Sequence, residues 1–205
     1  MNRLKILVIH WRNTLKFTKG WWDELDSWFW EDVFQRRWGD DYIDFRFATP
    51  SEDYYKGVDA WVIIVSADKD RGIQMKASEN NSDISLAKLK VNFAYQSQNG
   101  KPSGFGTYFR GNTNSPENHK NKGIHEFVFS YPFQGKTLFV KYEAMYDFWH
   151  GFLTNNHKKY VRYGRGMNEY YQVTLATFYN NLPKNGRKMY NTAIMDYDEV
   201  MKNYV

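Results

Sequence analysis

The residues best suited to chemistry lie close together in the first half of the chain. Asp59 opens an apolar run, and the triplet Gln74-Met75-Lys76 begins fifteen residues after it. Hydrolysis of a phosphodiester needs a divalent cation held by carboxylate or carbonyl oxygens, and a nearby lysine that stabilises charge developing on the attacked phosphate. The types and spacing of these residues suit that chemistry.

Two neighbouring strands are expected to position these residues. The run Val58–Val65 (VDAWVIIV) predicts one strand, Ile73–Ala77 (IQMKA) predicts the next, and a short polar turn joins them as a hairpin. Side chains two apart on a strand face the same way, so Gln74 and Lys76 share a face. Met75 points to the other face, toward the core, although its backbone carbonyl can still face the site.

The string GVDAWVIIV followed by GIQMKAS resembles the core of the PD-(D/E)XK nuclease superfamily. The resemblance covers about a quarter of the chain, roughly 27–78. It implies a restriction-endonuclease-like α/β fold, in which a central mixed β-sheet is flanked by helices. It also implies Mg²⁺ (or Mn²⁺) as cofactor, with Asp59 as central metal ligand, Gln74 as second ligand and Lys76 as catalytic lysine. The Met75 carbonyl is expected to join the ligands.

The sequence departs from the family pattern at Gln74, where a Glu or Asp is commoner. An amide oxygen can bind Mg²⁺ but adds no charge, so metal affinity falls unless another carboxylate compensates. Many family members recruit an acid from the helix before the sheet, and Glu31 has a suitable position upstream. The predicted helix Trp21–Trp38 is apolar nearly all round, so its pattern does not show which face packs against the sheet. Glu52 and Asp53 are rivals for the same role.

The remaining pattern predicts a single mixed α/β domain over 1–205, with its core at about 21–142 and a basic, helical part at about 143–205. One stretch, 97–123, is rich in Gly, Asn, Ser, Pro and Lys and is expected to form a long loop. The other predicted elements are an apolar run Leu4–His10, strands Tyr42–Ala48 and Leu89–Tyr95, a second hairpin formed by Ile124–Tyr131 and Thr137–Tyr142, and helices Met145–Leu153 and Met167–Leu182.

Positive charge is concentrated in the second half of the chain. Residues 1–100 carry 14 Lys and Arg against 15 Asp and Glu, whereas residues 101–205 carry 14 against 8. A basic, tyrosine-rich stretch suits binding to phosphates with stacking on bases, and it equally suits an ordinary solvated face. The candidate nucleic-acid-binding residues are Lys158, Lys159, Arg162, Arg165, Lys184, Arg187 and Lys188.

Several other kinds of site are disfavoured. The chain contains no cysteine, which removes disulfides, thiolate zinc ligands and a cysteine nucleophile. The five histidines show no metal-binding spacing. The apolar run near the start is too short for a signal peptide or a membrane span, so we expect a cytoplasmic protein without a membrane partner.

These observations favour a Mg²⁺-dependent nuclease, most consistent with a DNA endonuclease. The alternative is a non-catalytic nucleic-acid-binding protein on a degenerate nuclease fold. A third alternative is an interaction protein with no nucleic-acid role. The sequence leaves the oligomeric state open, although cutting both strands of a duplex would usually require a homodimer.

Overall fold

The computed structural model describes residues 27–77, 85–94, 123–163 and 169–194. Both helices and strands occur in these ranges. In chain order the elements are α1 Ser27–Trp38, β1 Tyr42–Phe47, α2 Pro50–Lys56, β2 Ala60–Ile64, β3 Arg71–Ala77, β4 Lys90–Ala94, β5 Ile124–Tyr131, β6 Lys136–Lys141, α3 Tyr142–Asp147, a π-helical turn Phe148–Leu153, α4 His157–Tyr160, β7 Val161–Tyr163, β8 Glu169–Thr174, α5 Leu175–Asn181 and β9 Arg187–Asn191.

The described strands form two sheets. The larger sheet has the order β1-β2-β3-β5-β6-β9, and the smaller has the order β4-β8-β7. In the larger sheet only the β3–β5 contact is parallel, and the other described neighbours are antiparallel. The protein is therefore mixed α/β with a central mixed sheet, as the sequence predicts at that level.

Helix α1 packs across one face of the larger sheet. Phe29, Trp30, Val33 and Phe34 are fully buried in a core shared with strand residues such as Met75. Each of these side chains gains roughly 1.5–3 kcal/mol by leaving water. The end of the helix spans several strands, because Phe34 contacts Phe45 of β1 and the last residue, Trp38, contacts Phe139 of β6. We call this side of the sheet the α1 face.

The opposite face of the larger sheet is covered by the smaller sheet together with α3, the π-helical turn and α5. A second core joins these layers, with Phe93 of β4 in ring contact with Phe129 of β5 and with Phe178 of α5. This core extends from Val58 to Leu182. Residues on both sides of position 143 therefore share one core. We call this side of the sheet the layered face.

The predicted helix Met167–Leu182 is wrong over its first half, because Glu169–Thr174 is strand β8. Tyr171 and Val173 are both buried, so the alternation of a strand governs this segment. The helix begins only at Leu175, after Thr174 accepts a hydrogen bond from the Thr177 amide as N-cap. The part after 143 thus contains three described strands as well as helices.

The other described elements lie close to their predicted positions. The predicted helix Met145–Leu153 is part of a longer helical segment that begins at Tyr142. The predicted strand Leu89–Tyr95 appears as β4, in the smaller sheet. The run Leu4–His10 lies outside the described residues, as does nearly all of the expected loop 97–123. In the described ranges, no helix has the length and apolar character needed to cross a membrane.

Candidate active site

Hydrogen bonds on both sides hold the backbone of Asp59 where β2 begins. Its amide donates to the carbonyl of Ile73 on β3, at 2.8 Å. Its carbonyl accepts from the amide of Ala48, just after β1, at 2.9 Å. Asp59 thus extends the three-strand ladder by one residue before Ala60. Its side chain projects from backbone that is hydrogen-bonded on both sides.

Helix α2, which was not predicted from the sequence, leads the chain into this position. Thr49 and Glu52 form a capping box, in which each side chain bonds the backbone amide of the other residue. Pro50 follows the cap directly, as is common at the first helical position. The pattern Thr-Pro-Ser-Glu is itself a helix-start signal, so this element could have been predicted. Gly57 ends the helix in the left-handed conformation, with φ 64°.

The side chains of Asp59, Gln74 and Lys76 meet at one carboxylate oxygen. The Gln74 Nε2 donates to Asp59 Oδ2 at 2.5 Å, and the Met75 amide donates to the same oxygen at 2.6 Å. The Lys76 Nζ lies 4.0 Å from it. The hairpin therefore brings together the acid, the amide and the lysine that the sequence predicts.

All three side chains project from the layered face. Gln74 and Lys76 alternate along β3 with Met75, which is buried under α1. Their partners across the parallel pair are Phe127 and Phe129, which belong to the layered core. Met75 thus lies in the α1-face core, and Gln74 and Lys76 lie on the opposite face of the strand.

The oxygen atoms near this cluster suit a hard divalent cation. Gln74 is 5% exposed, and its buried Oε1 has no hydrogen-bond partner among the described residues. The amide and carbonyl of one strand residue point to the same side of the strand, so the Met75 carbonyl lies on the side of β3 on which its amide bonds Asp59. One carboxylate and two neutral oxygens fit Mg²⁺, which usually binds one or two carboxylates and completes its shell with water and substrate phosphates.

The structure does not bring Glu31 to this cluster. Glu31 lies on α1, which covers the α1 face, whereas Asp59 points from the layered face. Burial raises the pKa of Tyr42 to about 12, and the negative charge of Glu31 adds to the effect. Tyr42 pairs with Ile64, at the opposite end of β2 from Asp59. Glu31 thus acts on Tyr42, at a distance from the cluster.

Glu52, another candidate for the additional acid, is hydrogen-bonded to Arg46 and Thr49. Both its carboxylate oxygens accept from the Arg46 guanidinium at 2.9 Å, and Oε2 also accepts from the Thr49 amide. These bonds, with the Arg46 bond the largest cause, hold the pKa of Glu52 well below its usual range. Asp53 is exposed on the same helix. In the described part of the chain, no three or more His, Asp or Glu side chains cluster as a metal site would require.

The candidate nucleic-acid-binding residues fall into two groups. Lys158, Lys159 and Arg162 are exposed on α4 and β7, beside the smaller sheet. The other group lies on or just before β9, three strands from β3 in the larger sheet. Its members are Lys184, Arg187 and Lys188. Arg165 lies outside the described residues.

A buried ion pair on the α1 face was also missed. Glu126 is 3% exposed, and Arg37 binds both its oxygens, at 2.7 and 3.1 Å. The sequence suggests only a surface role for His125–Glu126, because the partner arginine lies 89 residues away. An isolated acid in an otherwise apolar strand was the available signal.

No protein-family model, curated protein or solved structure matches this chain. The geometry of the cluster therefore carries the functional argument alone.

Proposed function

We propose that this protein is a divalent-metal-dependent nuclease of the PD-(D/E)XK type, acting on DNA. The observation that supports it best is the convergence of Gln74, Met75 and Lys76 on a single oxygen of Asp59. A helix, a hairpin with an acid at its first strand, and Gln-x-Lys on its second strand occur in the order that the resemblance implies.

Asp59 and the two neutral oxygens would hold the cation. Bound Mg²⁺ would supply a Lewis acid for the phosphate and lower the pKa of an attacking water. Asp59 supplies the negative charge, and its orientation is fixed by the Met75 amide and the Gln74 amide. Gln74 supplies an oxygen that is already desolvated and without a hydrogen-bond partner.

Lys76 is suited to stabilise the charge that develops on the phosphate. Its side chain is 37% exposed, so the ammonium can meet a substrate that enters from solvent. The Lys76 Nζ lies 4.0 Å from Asp59 Oδ2, so the ammonium is close to the carboxylate that would hold the cation. A fixed positive charge beside developing negative charge is worth more in such a partly desolvated site than in water.

A cleavage assay with single substitutions tests the proposal. Purified protein is incubated with plasmid DNA and either Mg²⁺ or Mn²⁺, and nicked and linear products are measured. Asp59→Ala and Lys76→Ala are expected to lower the rate by at least about a hundredfold. The matched controls are Asp68→Ala and Lys69→Ala, which alter exposed residues in the turn of the same hairpin. Cleavage that survives both Asp59→Ala and Lys76→Ala would overturn the proposal.

A second candidate function is nucleic-acid binding without cleavage. The observation that favours it is that Asp59 supplies the one carboxylate of the cluster among the described residues, because Gln74 brings no charge. It predicts salt-sensitive DNA binding that persists in Asp59→Ala and weakens when Lys158, Lys159 and Arg162 are changed to Glu. Metal-dependent cleavage by the parent protein would exclude this alternative.

A further inference from the structure

Three cavities lined by described residues differ in their charge. A cavity of about 340 Å³ beside α5 has no charged residue in its lining. A cavity of about 300 Å³ has two carboxylates, Glu126 and Glu143, beside Arg71 and Lys141. The third, about 210 Å³, has a single carboxylate among four basic residues. We call the third the basic cavity, and its charged lining residues are Arg37, Glu126, Lys141, Arg187 and Lys188.

The larger sheet places Glu126, Lys141 and Lys188 of the basic cavity on the α1 face. Lys188 pairs with Phe139, a residue of the α1-face core, and Lys141 pairs with Glu126. Phe139 forms an apolar wall, with the Arg37 guanidinium 5.8 Å above its ring. The cavity is several times larger than the volume that one water requires.

Each basic residue has a distinct relation to the cavity. Arg37 is held in place by two hydrogen bonds to Glu126, so the acid balances one of the four positive charges. Arg187 lies on the opposite side of its strand, stacked 3.9 Å from the ring of Tyr179, and contributes potential rather than contact. Lys141 and Lys188 are exposed, and the Lys188 ammonium lies 4.8 Å from the ring of Tyr190. The flexible stem of a lysine allows its donors to turn toward an anion.

We propose that the basic cavity binds a phosphate group, as inorganic phosphate or a phosphate ester. Lys141 and Lys188 would donate charge-assisted hydrogen bonds, and Arg187 would add positive potential. A concave site with excess positive charge focuses its field on an anion, and a phosphate dianion gains more from it than a carboxylate. The cavity lies on the opposite sheet face from Asp59, so this proposal stands independently of the nuclease.

Calorimetric titration with inorganic phosphate at low ionic strength tests the site. We expect saturable binding by the parent protein, weaker binding of acetate, and a loss of affinity of at least about tenfold in the double variant Lys141→Gln/Lys188→Gln. The control is Lys88→Gln/Lys90→Gln, which removes the same charge from exposed positions at β4 and should bind as the parent does. Competition by a nucleoside monophosphate would show that the site accepts a phosphomonoester. Competition by an oligonucleotide without terminal phosphate would show that it accepts a phosphodiester backbone.

A labelling experiment on the parent protein avoids dependence on the variants. Bound phosphate should slow acetylation of Lys141 and Lys188 relative to Lys88 and Lys90, as measured by mass spectrometry. Undiminished phosphate affinity in Lys141→Gln/Lys188→Gln would overturn the proposal. Failure of the parent protein to bind phosphate saturably would overturn it equally.

Discussion

Gln74 donates its side-chain amide to Asp59 across the hairpin, at 2.5 Å, while its own carbonyl oxygen stays buried without a hydrogen bond. A buried polar atom left unsatisfied costs about 1–3 kcal/mol. A cation or water bound between the two residues would remove that cost. Binding of such a ligand should therefore stabilise the folded protein.

Replacing Gln74 by Glu should make the protein more dependent on metal. Two carboxylates in contact repel, so Gln74→Glu should lower the Tm in the absence of divalent cation. The added charge should tighten Mg²⁺ binding on the order of tenfold, so Mg²⁺ should raise the Tm more than in the parent. Asn180→Asp adds the same charge at an exposed position on α5 and serves as the control. Equal responses of the two variants to Mg²⁺ in thermal unfolding would contradict the prediction.

Breaking the buried ion pair should destabilise the fold strongly. Arg37→Met leaves the Glu126 carboxylate buried without its partner, which should lower the free energy of unfolding by about 3–5 kcal/mol. Adding Glu126→Leu to Arg37→Met should recover most of this loss. Arg36→Met breaks the exposed pair with Asp32 and should cost less than about 1 kcal/mol. Urea unfolding measures all three, and a small effect of Arg37→Met would contradict the account.

His125 should make stability depend on pH. Burial lowers its pKa, the positive charge of Arg71 also lowers it, and Nδ1 accepts a hydrogen bond from the Gly72 amide that protonation would remove. Below the unfolded pKa of about 6.5, the unfolded chain therefore binds more protons than the folded one, and stability falls as the pH falls. His125→Asn should flatten this dependence between about pH 7 and pH 5. An unchanged slope in urea unfolding would show that His125 is not responsible.

The capping box of α2 should contribute measurably to stability. Thr49→Ala removes the side-chain oxygen that accepts from the Glu52 amide and should lower the free energy of unfolding by about 1 kcal/mol. Ser51→Ala, at an exposed position in the first turn of the same helix, should change it by less than about 0.5 kcal/mol. If both substitutions have the same effect in urea unfolding, the capping bond adds nothing.

The hairpin was predictable because its signals are local. A run of buried β-branched and aromatic residues, a polar turn and an alternating second strand specify the pairing of β2 with β3. Once that pairing exists, the two-residue period of a strand puts Gln74 and Lys76 on one face. The actual pairing places Ala60 opposite Ile73, so Asp59 meets Gln74 and Met75 just before β2 begins.

Strand β8 was mispredicted because its sequence fits two periods at once. Tyr171, Leu175, Phe178 and Leu182 follow helical spacing, while Tyr171 and Val173 follow that of a strand. Pairing with β4 on one side and β7 on the other decides between them, and β4 lies far from β8 in sequence. The same kind of long-range contact hides the partner of Glu126.

The sequence by itself determined the mixed α/β class, the hairpin and the three side chains on it, because these depend on local periodicity and turn chemistry. Only the tertiary structure decided which sheet face those side chains use. It also decided that α1, with Glu31, covers the other face, and that Arg37 meets Glu126. These relationships depend on which apolar surfaces pack together across distant segments, and no local pattern encodes that choice.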